Sequence, residues 1–104
     1  MKSELLENLT KAQVEALLEC FDFIANGYVE QSCFEVSDLW IIQLKHDRTQ
    51  SVIRMFIRPD RYRLQVRGRT RKKVMFESSK DRFRIVVNSD NSIGVVRQKP
   101  DVAL

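Results

Sequence analysis

The sequence predicts an α+β fold in which one N-terminal amphipathic helix packs on one face of a twisted antiparallel meander sheet of five to six strands. Apolar residues recur every three or four positions over residues 3–26, which is typical of a helix with one buried face. From Tyr28 onward the period changes to two and the composition shifts to Val, Ile, Phe and Arg, which indicates strands. The connectors are too short for the crossovers that parallel strands require, so the sheet is expected to be antiparallel.

The predicted helix has a recognisable start and stop. Thr10 followed by Gln13 fits a capping box, so the main helix is expected to begin at Lys11. Asn26 and Gly27 supply a left-handed stop. The expected buried stripe consists of Leu5, Leu6, Leu9, Val14, Leu17, Leu18, Phe21, Ile24 and Ala25, and the opposite face carries Glu15, Glu19 and Asp22. Such a stripe needs a sheet to cover it.

The remaining elements form a series of short segments within one domain, residues 1–104. A second core would leave only about 50 residues for each half, which is marginal for independent folding. Residues 1–27 form the helical segment, 28–98 the sheet and 99–104 a flexible tail. Strands are predicted at residues 39–46, 51–58, 61–68, 73–78, 82–88 and 93–98, with DRTQ, PD, RTRK, SSKD and SDNS between them. Residues 28–36 fit either an extended strand or a loop.

The turns predict one shared apolar face for these strands. Trp40, Ile42 and Leu44 fall opposite Ile57, Met55 and Ile53, which in turn fall opposite Tyr62, Leu64 and Val66. Across SSKD, Phe76 is expected opposite Phe83 and Val74 opposite Ile85; across SDN, Ile85 falls opposite Val95 and Val87 opposite Ile93. Met75 is expected to pack, as Met55 does. Agreement among independent turns favours a single buried face.

Charge is distributed unevenly along the chain. Residues 1–35 contain seven acidic residues and two basic ones, a net charge of −5. The rest of the chain contains 16 basic residues and seven acidic ones, a net charge of +9. Segregation of this kind produces a local field that favours a polyanion, an acidic partner or a second copy of the chain.

The strand registers place the excess arginines on the face opposite the predicted core, with Phe56 among them. Five arginines occupy odd-numbered positions and are therefore expected on the same face: Arg61, Arg63, Arg67, Arg69 and Arg71. The planar guanidinium of Arg fits phosphate. Phe56 beside Arg63 offers a stacking platform for an unpaired base. The candidate residues for nucleic-acid or anion binding are Arg54, Phe56, Arg58, Arg61, Arg63, Arg67, Arg69, Arg71, Lys72, Lys73, Arg82 and Arg84.

These residues suggest a small non-enzymatic binding module that engages nucleic acid through backbone phosphates. Two alternatives remain open. The arginines also suit a plainly solvated sheet surface, and they suit a protein-interaction or regulatory adaptor that docks an acidic partner or forms a homodimer.

The composition argues against several other classes of protein. One His and two Cys do not make a four-ligand zinc site, and three scattered Gly do not make a phosphate-binding loop, so we expect no metal and no cofactor. His46 beside Asp47 lacks a nucleophile elbow, so we expect no catalytic residues. No apolar run reaches the roughly 20 residues of a membrane span, and the start of the chain does not resemble a signal peptide. We therefore expect a cytoplasmic protein with no membrane partner, whose Cys20 and Cys33 are free thiols.

Overall fold

The computed structural model describes residues 6–77 and 80–98. It contains a helix α1 (Lys11–Ala25) and the strands β1 (Tyr28–Val36), β2 (Leu39–His46), β3 (Val52–Ile57), β4 (Arg61–Val66), β5 (Arg69–Met75), β6 (Arg82–Val87) and β7 (Ile93–Gln98). The predicted α+β class with an antiparallel meander is confirmed. Strands β1 to β5 form one sheet in chain order, whereas β6 and β7 form a separate two-stranded sheet.

Helix α1 begins and ends as its sequence indicates. The Gln13 backbone amide donates to Thr10 Oγ1 at 3.3 Å, and the Thr10 amide donates to Gln13 Oε1 at 2.9 Å. This capping box satisfies two amides that lack partners within the helix. At the other end, Gly27 takes a φ of +98°, the left-handed conformation that glycine adopts without strain.

The buried face of α1 is shorter than the sequence suggests. Val14, Leu17 and Cys20 lie in the core, but Ile24 is 40% exposed, so its predicted burial is wrong. Phe23 takes its place by packing edge-on against Tyr28, with ring centroids 5.4 Å apart. Burial raises the pKa of the Cys20 thiol to about 12. Leu5 lies outside the described residues.

The five-stranded sheet confirms the predicted registers of its central strands. Ile42 pairs with Met55, and Met55 pairs in turn with Leu64. Residues 28–36, which the sequence left open, form an edge strand that pairs with β2. The buried sheet residues are Trp40, Ile42, Leu44, Ile53, Met55, Ile57, Tyr62 and Leu64, and together with α1 they form one apolar cluster.

The turn between β4 and β5 is shorter than predicted. Arg67 and Gly68 both take positive φ and form this two-residue turn, so RTRK belongs to β5 rather than to a loop.

The predicted pairing across SSKD is wrong. Strand β6 pairs with β7 instead of β5, and the backbone of Phe83 exchanges two hydrogen bonds with that of Leu9, at 2.8 and 2.7 Å. Phe83 therefore does not face Phe76. The pairing of Ile85 with Val95 is confirmed, as is that of Val87 with Ile93.

Gly27→Ala is expected to destabilise the fold more than Gly68→Ala. Both glycines have positive φ, which costs an alanine about 1–2 kcal/mol. A Cβ at Gly27 would also lie 2.8 Å from His46 Nε2, whereas a Cβ at Gly68 meets open space. We expect Gly27→Ala to cost about 2–4 kcal/mol in chemical denaturation. Equal losses of stability for the two variants would show that His46 does not limit the space for a side chain at position 27.

The tail at residues 99–104 lies outside the described residues. Helix α1 is neither long nor apolar enough to cross a membrane, and the described residues contain no other candidate helix.

Candidate binding surface

The five-stranded sheet has one face covered by α1 and one face without a cover among the described residues; we call the second one the outer face. The period of two in each strand creates both faces. In β3, burial of Ile53, Met55 and Ile57 leaves Arg54 and Phe56 on the outer face. The registers then align one outer-face residue from each strand into a central row, which consists of Phe34, Ile41, Phe56, Arg63 and Lys73.

Arg63 and Phe56 form the middle of this row. The guanidinium carbon of Arg63 lies 4.5 Å from the centroid of the Phe56 ring, a cation–π contact. Arg63 Nε is buried and has no hydrogen-bond partner among the described residues. A buried donor without an acceptor is costly, so this position of the Arg63 side chain carries an energetic penalty.

The positive charges on and near the outer face are only partly compensated. Arg58 lies 3.2 Å from Asp38, and Arg61 lies 3.8 Å from Asp60. Over residues 6–77 and 80–98, no carboxylate lies within ion-pair distance of a second group of basic residues, which contains Arg63, Arg67, Arg69, Arg71 and Lys73. Strands β4 and β5 and the turn between them therefore carry several positive charges that have no ion-pair partner among the described residues.

Lys72, one of the predicted site residues, lies on the covered side of the sheet. It pairs with Leu64, and its ammonium group lies 3.1 Å from a carboxylate oxygen of Glu19 on α1. The Tyr62 hydroxyl donates to the same carboxylate. Burial, and then this hydrogen bond, raise the pKa of Tyr62 well above its usual value. Lys72 and Glu19 thus join helix to sheet, and the expectation that Glu19 simply faces solvent is wrong.

The predicted single face of arginines breaks down in β5 and β6. The register of β4 and β5 shifts between Leu64 and Gln65. Odd-numbered residues therefore do not all lie on the outer face after the turn. Arg69 pairs with Val66 and falls on the covered side, while Arg67 lies in the turn itself. Arg71 lies at the irregularity, opposite no residue of β4, and Arg82 and Arg84 lie in the separate sheet. The members that share the outer face or its rim are Arg54, Phe56, Arg58, Arg61, Arg63 and Lys73.

The predicted set omits several exposed apolar residues of the outer face, and three of them are Phe34, Val36 and Met75. Phe34 is 59% exposed, Val36 60% and Met75 72%. The expectation that Met75 packs in the core is wrong, because Met75 pairs with Arg61 on the outer face. Phe34 and Val36 were missed because residues 28–36 were left open. A short turn at Ser37 and Asp38 would have set Phe34 opposite Ile41.

A depression of about 410 Å³ lies beside the central row. Its lining includes Leu39, Phe56 and Met75 together with Arg61, Arg63 and Lys73. The depression therefore combines apolar walls with a cationic rim.

His46 stabilises the turn between β2 and β3 by hydrogen bonding. Its Nδ1 accepts hydrogen bonds from the backbone amides of Arg48 and Thr49, at 3.1 and 3.2 Å. Tyr28 packs edge-on against the imidazole ring, with centroids 5.0 Å apart. In the described part of the chain, no three His, Cys, Asp or Glu side chains lie close enough together to hold a metal ion.

Comparison of the chain with protein-family models, with curated proteins and with solved structures finds no match. A function therefore has to be inferred from the outer face itself.

Proposed function

We propose that this chain is a non-enzymatic module that binds single-stranded nucleic acid on its outer face, mainly through backbone phosphates. One observation carries the proposal: the Arg63 guanidinium, which has no carboxylate partner among the described residues, lies 4.5 Å from the centre of the Phe56 ring in the middle of an open sheet face. A stacked guanidinium keeps its donors available for phosphate or base oxygens.

The spacing of the cations supports contact with several phosphates. Arg61 and Arg63 lie two residues apart on β4, which corresponds to about 7 Å along the strand. Lys73 pairs with Arg63 on the neighbouring strand, about 5 Å away. Arg58 and Arg54 extend the same cluster toward β3. A flexible phosphate backbone adapts to such a cluster without base-specific geometry.

The aromatic residues favour a single strand over a duplex. Phe34 and Phe56 share the central row, separated by Ile41, so two rings stand about 10 Å apart on the same face. Bases stack on such rings with little sequence preference, and only unpaired bases are free to do so. Two free thiols fit the reducing conditions of the cytoplasm, which is part of the proposal.

A second candidate function is an adaptor that binds an acidic protein or a second copy of this chain. The observation that favours it is the exposure of Phe34 and Val36 on the edge strand β1. Apolar side chains beside an unpaired strand edge are suited to protein contacts.

The proposal predicts salt-dependent binding of labelled single-stranded RNA and DNA. With about four phosphates engaged, affinity should fall roughly 50-fold between about 50 and about 200 mM salt. Fluorescence anisotropy with oligonucleotides of about 20 nucleotides measures this directly, and light scattering in the same buffers reports the oligomeric state. Absence of binding at low salt overturns the proposal. Equal competition by a polyglutamate peptide, or a dimer that dissociates with salt, favours the second candidate instead.

A further inference from the structure

The depression on the outer face spans two rows of side chains. It lies between the central row and the neighbouring row formed by Leu39, Arg61 and Met75. Two such rows are about 7 Å apart along a strand, and β3 and β5 are separated by two strand spacings, about 10 Å. Its volume of about 410 Å³ lies at the lower end of the range for small-molecule sites, about 300–1,000 Å³.

Its walls divide into an apolar and a cationic part. Leu39, Phe56 and Met75 supply the apolar part, and Met75 is 72% exposed. An unbranched methionine beside an aromatic ring adapts its shape to a flat ligand and gains from losing contact with water. Arg61 and Lys73 stand at the rim. This combination suits a ligand that has a flat, weakly polar ring and an attached anion.

Arg63 also lines the depression, and it connects the two parts. Its guanidinium covers Phe56, and its buried Nε has no acceptor within the described residues. A smaller hollow of about 180 Å³ on the other side of the central row lacks this character, since Gln43, Arg54 and Gln65 line it beside Val52 and Gly68. Of these two depressions in the described part of the chain, the larger one combines an aromatic ring with several cations.

The geometry points to a pocket for a single unpaired nucleotide of the bound strand. The base lies against Met75 and against the pair formed by Phe56 and the Arg63 guanidinium, its phosphate contacts Arg61 and Lys73, and Arg63 donates to an oxygen of the phosphate. This inference rests on the proposed function, and it adds that bases contribute to affinity as well as phosphates. An uncharged base–aromatic contact of this kind tolerates any base sequence.

The test compares oligothymidylate with an abasic strand of the same length and the same phosphates. At equal salt, oligothymidylate should bind at least about 5-fold more tightly, since stacking one base contributes that much or more. Met75→Ala should weaken binding of oligothymidylate and so reduce this ratio. Val96→Ala, an equally simple truncation of an exposed apolar residue on β7, should change neither affinity.

The outcomes separate this pocket from the proposed function. Equal affinities for the two strands overturn the pocket and leave phosphate binding in place. A preference for oligothymidylate that Met75→Ala does not alter also overturns the pocket, because the bases would then contact another part of the surface. If neither strand binds at low salt, both proposals are wrong.

Discussion

Leu17→Ala is expected to destabilise the protein by about 2–5 kcal/mol, a large part of the 5–15 kcal/mol typical of a domain. Leu17 is fully buried and belongs to the same cluster as Ile42 and Met55 of the sheet. Truncation removes favourable burial and leaves a cavity that the close-packed helix and sheet only partly fill. The loss should appear as a lower midpoint in urea denaturation with an unchanged slope.

Leu18→Ala is the matched control for this change. Leu18 is the next residue on the same helix and has the same side chain, but it is only half-buried at the edge of the core. Its truncation should therefore cost clearly less than that of Leu17. If the two variants lost the same stability, α1 would not present the Leu17 side of the helix to the sheet.

The parts of the fold that follow from local patterns could be predicted from the sequence. Thr10 and Gln13 mark the helix start because a capping box involves only neighbouring residues. The registers of β2, β3 and β4 follow because short turns connect strands that alternate between apolar and polar residues. Trp40 and Met55 were accordingly expected in the core, and they are buried.

The parts that depend on distant contacts could not be predicted in the same way. The hydrogen bonds between Leu9 and Phe83 join segments far apart in the chain, and they hold β6 beside the start of α1 rather than beside β5. The shift between Leu64 and Gln65 is equally invisible to simple alternation, since one extra residue reverses the faces of everything that follows.

The same distinction applies to the candidate surface. Arg54, Phe56 and Arg63 were placed on one face because they alternate with buried residues inside well-defined strands. Lys72 was misplaced because its side of the sheet depends on the register shift, and its partner Glu19 lies on a helix far away in sequence. Exposed apolar residues such as Phe34 and Met75 were missed because their residue type alone does not separate them from core residues.

The double change Arg63→Glu and Lys73→Glu is expected to reduce affinity for single-stranded nucleic acid about 100-fold or more. Each charge-assisted hydrogen bond contributes about 1.5–3 kcal/mol, and the new carboxylates also repel phosphate. The dependence of affinity on salt should become shallower by one to two phosphate contacts, that is, by about 0.7–1.4 in the logarithmic slope for a single strand. Neither residue has a carboxylate partner within the described ranges, so no ion pair seen there is lost.

A control with the same change in net charge distinguishes the effect of the outer-face residues on affinity from the effect of the net charge of the whole molecule. Arg48 and Lys80 are exposed, lie outside the central row and have no described carboxylate within ion-pair distance. Arg48→Glu with Lys80→Glu alters net charge by the same amount as the outer-face pair. Circular dichroism of both double variants checks that the secondary structure is retained.

The most direct measurement is the ratio of the two affinity losses, determined by fluorescence anisotropy with one labelled oligonucleotide at one low salt concentration. If the outer face binds the strand, the Arg63 and Lys73 pair loses at least about 10-fold more affinity than the Arg48 and Lys80 pair. Equal losses in two folded variants would contradict this account, because binding would then follow the net charge of the chain and not the surface around Phe56.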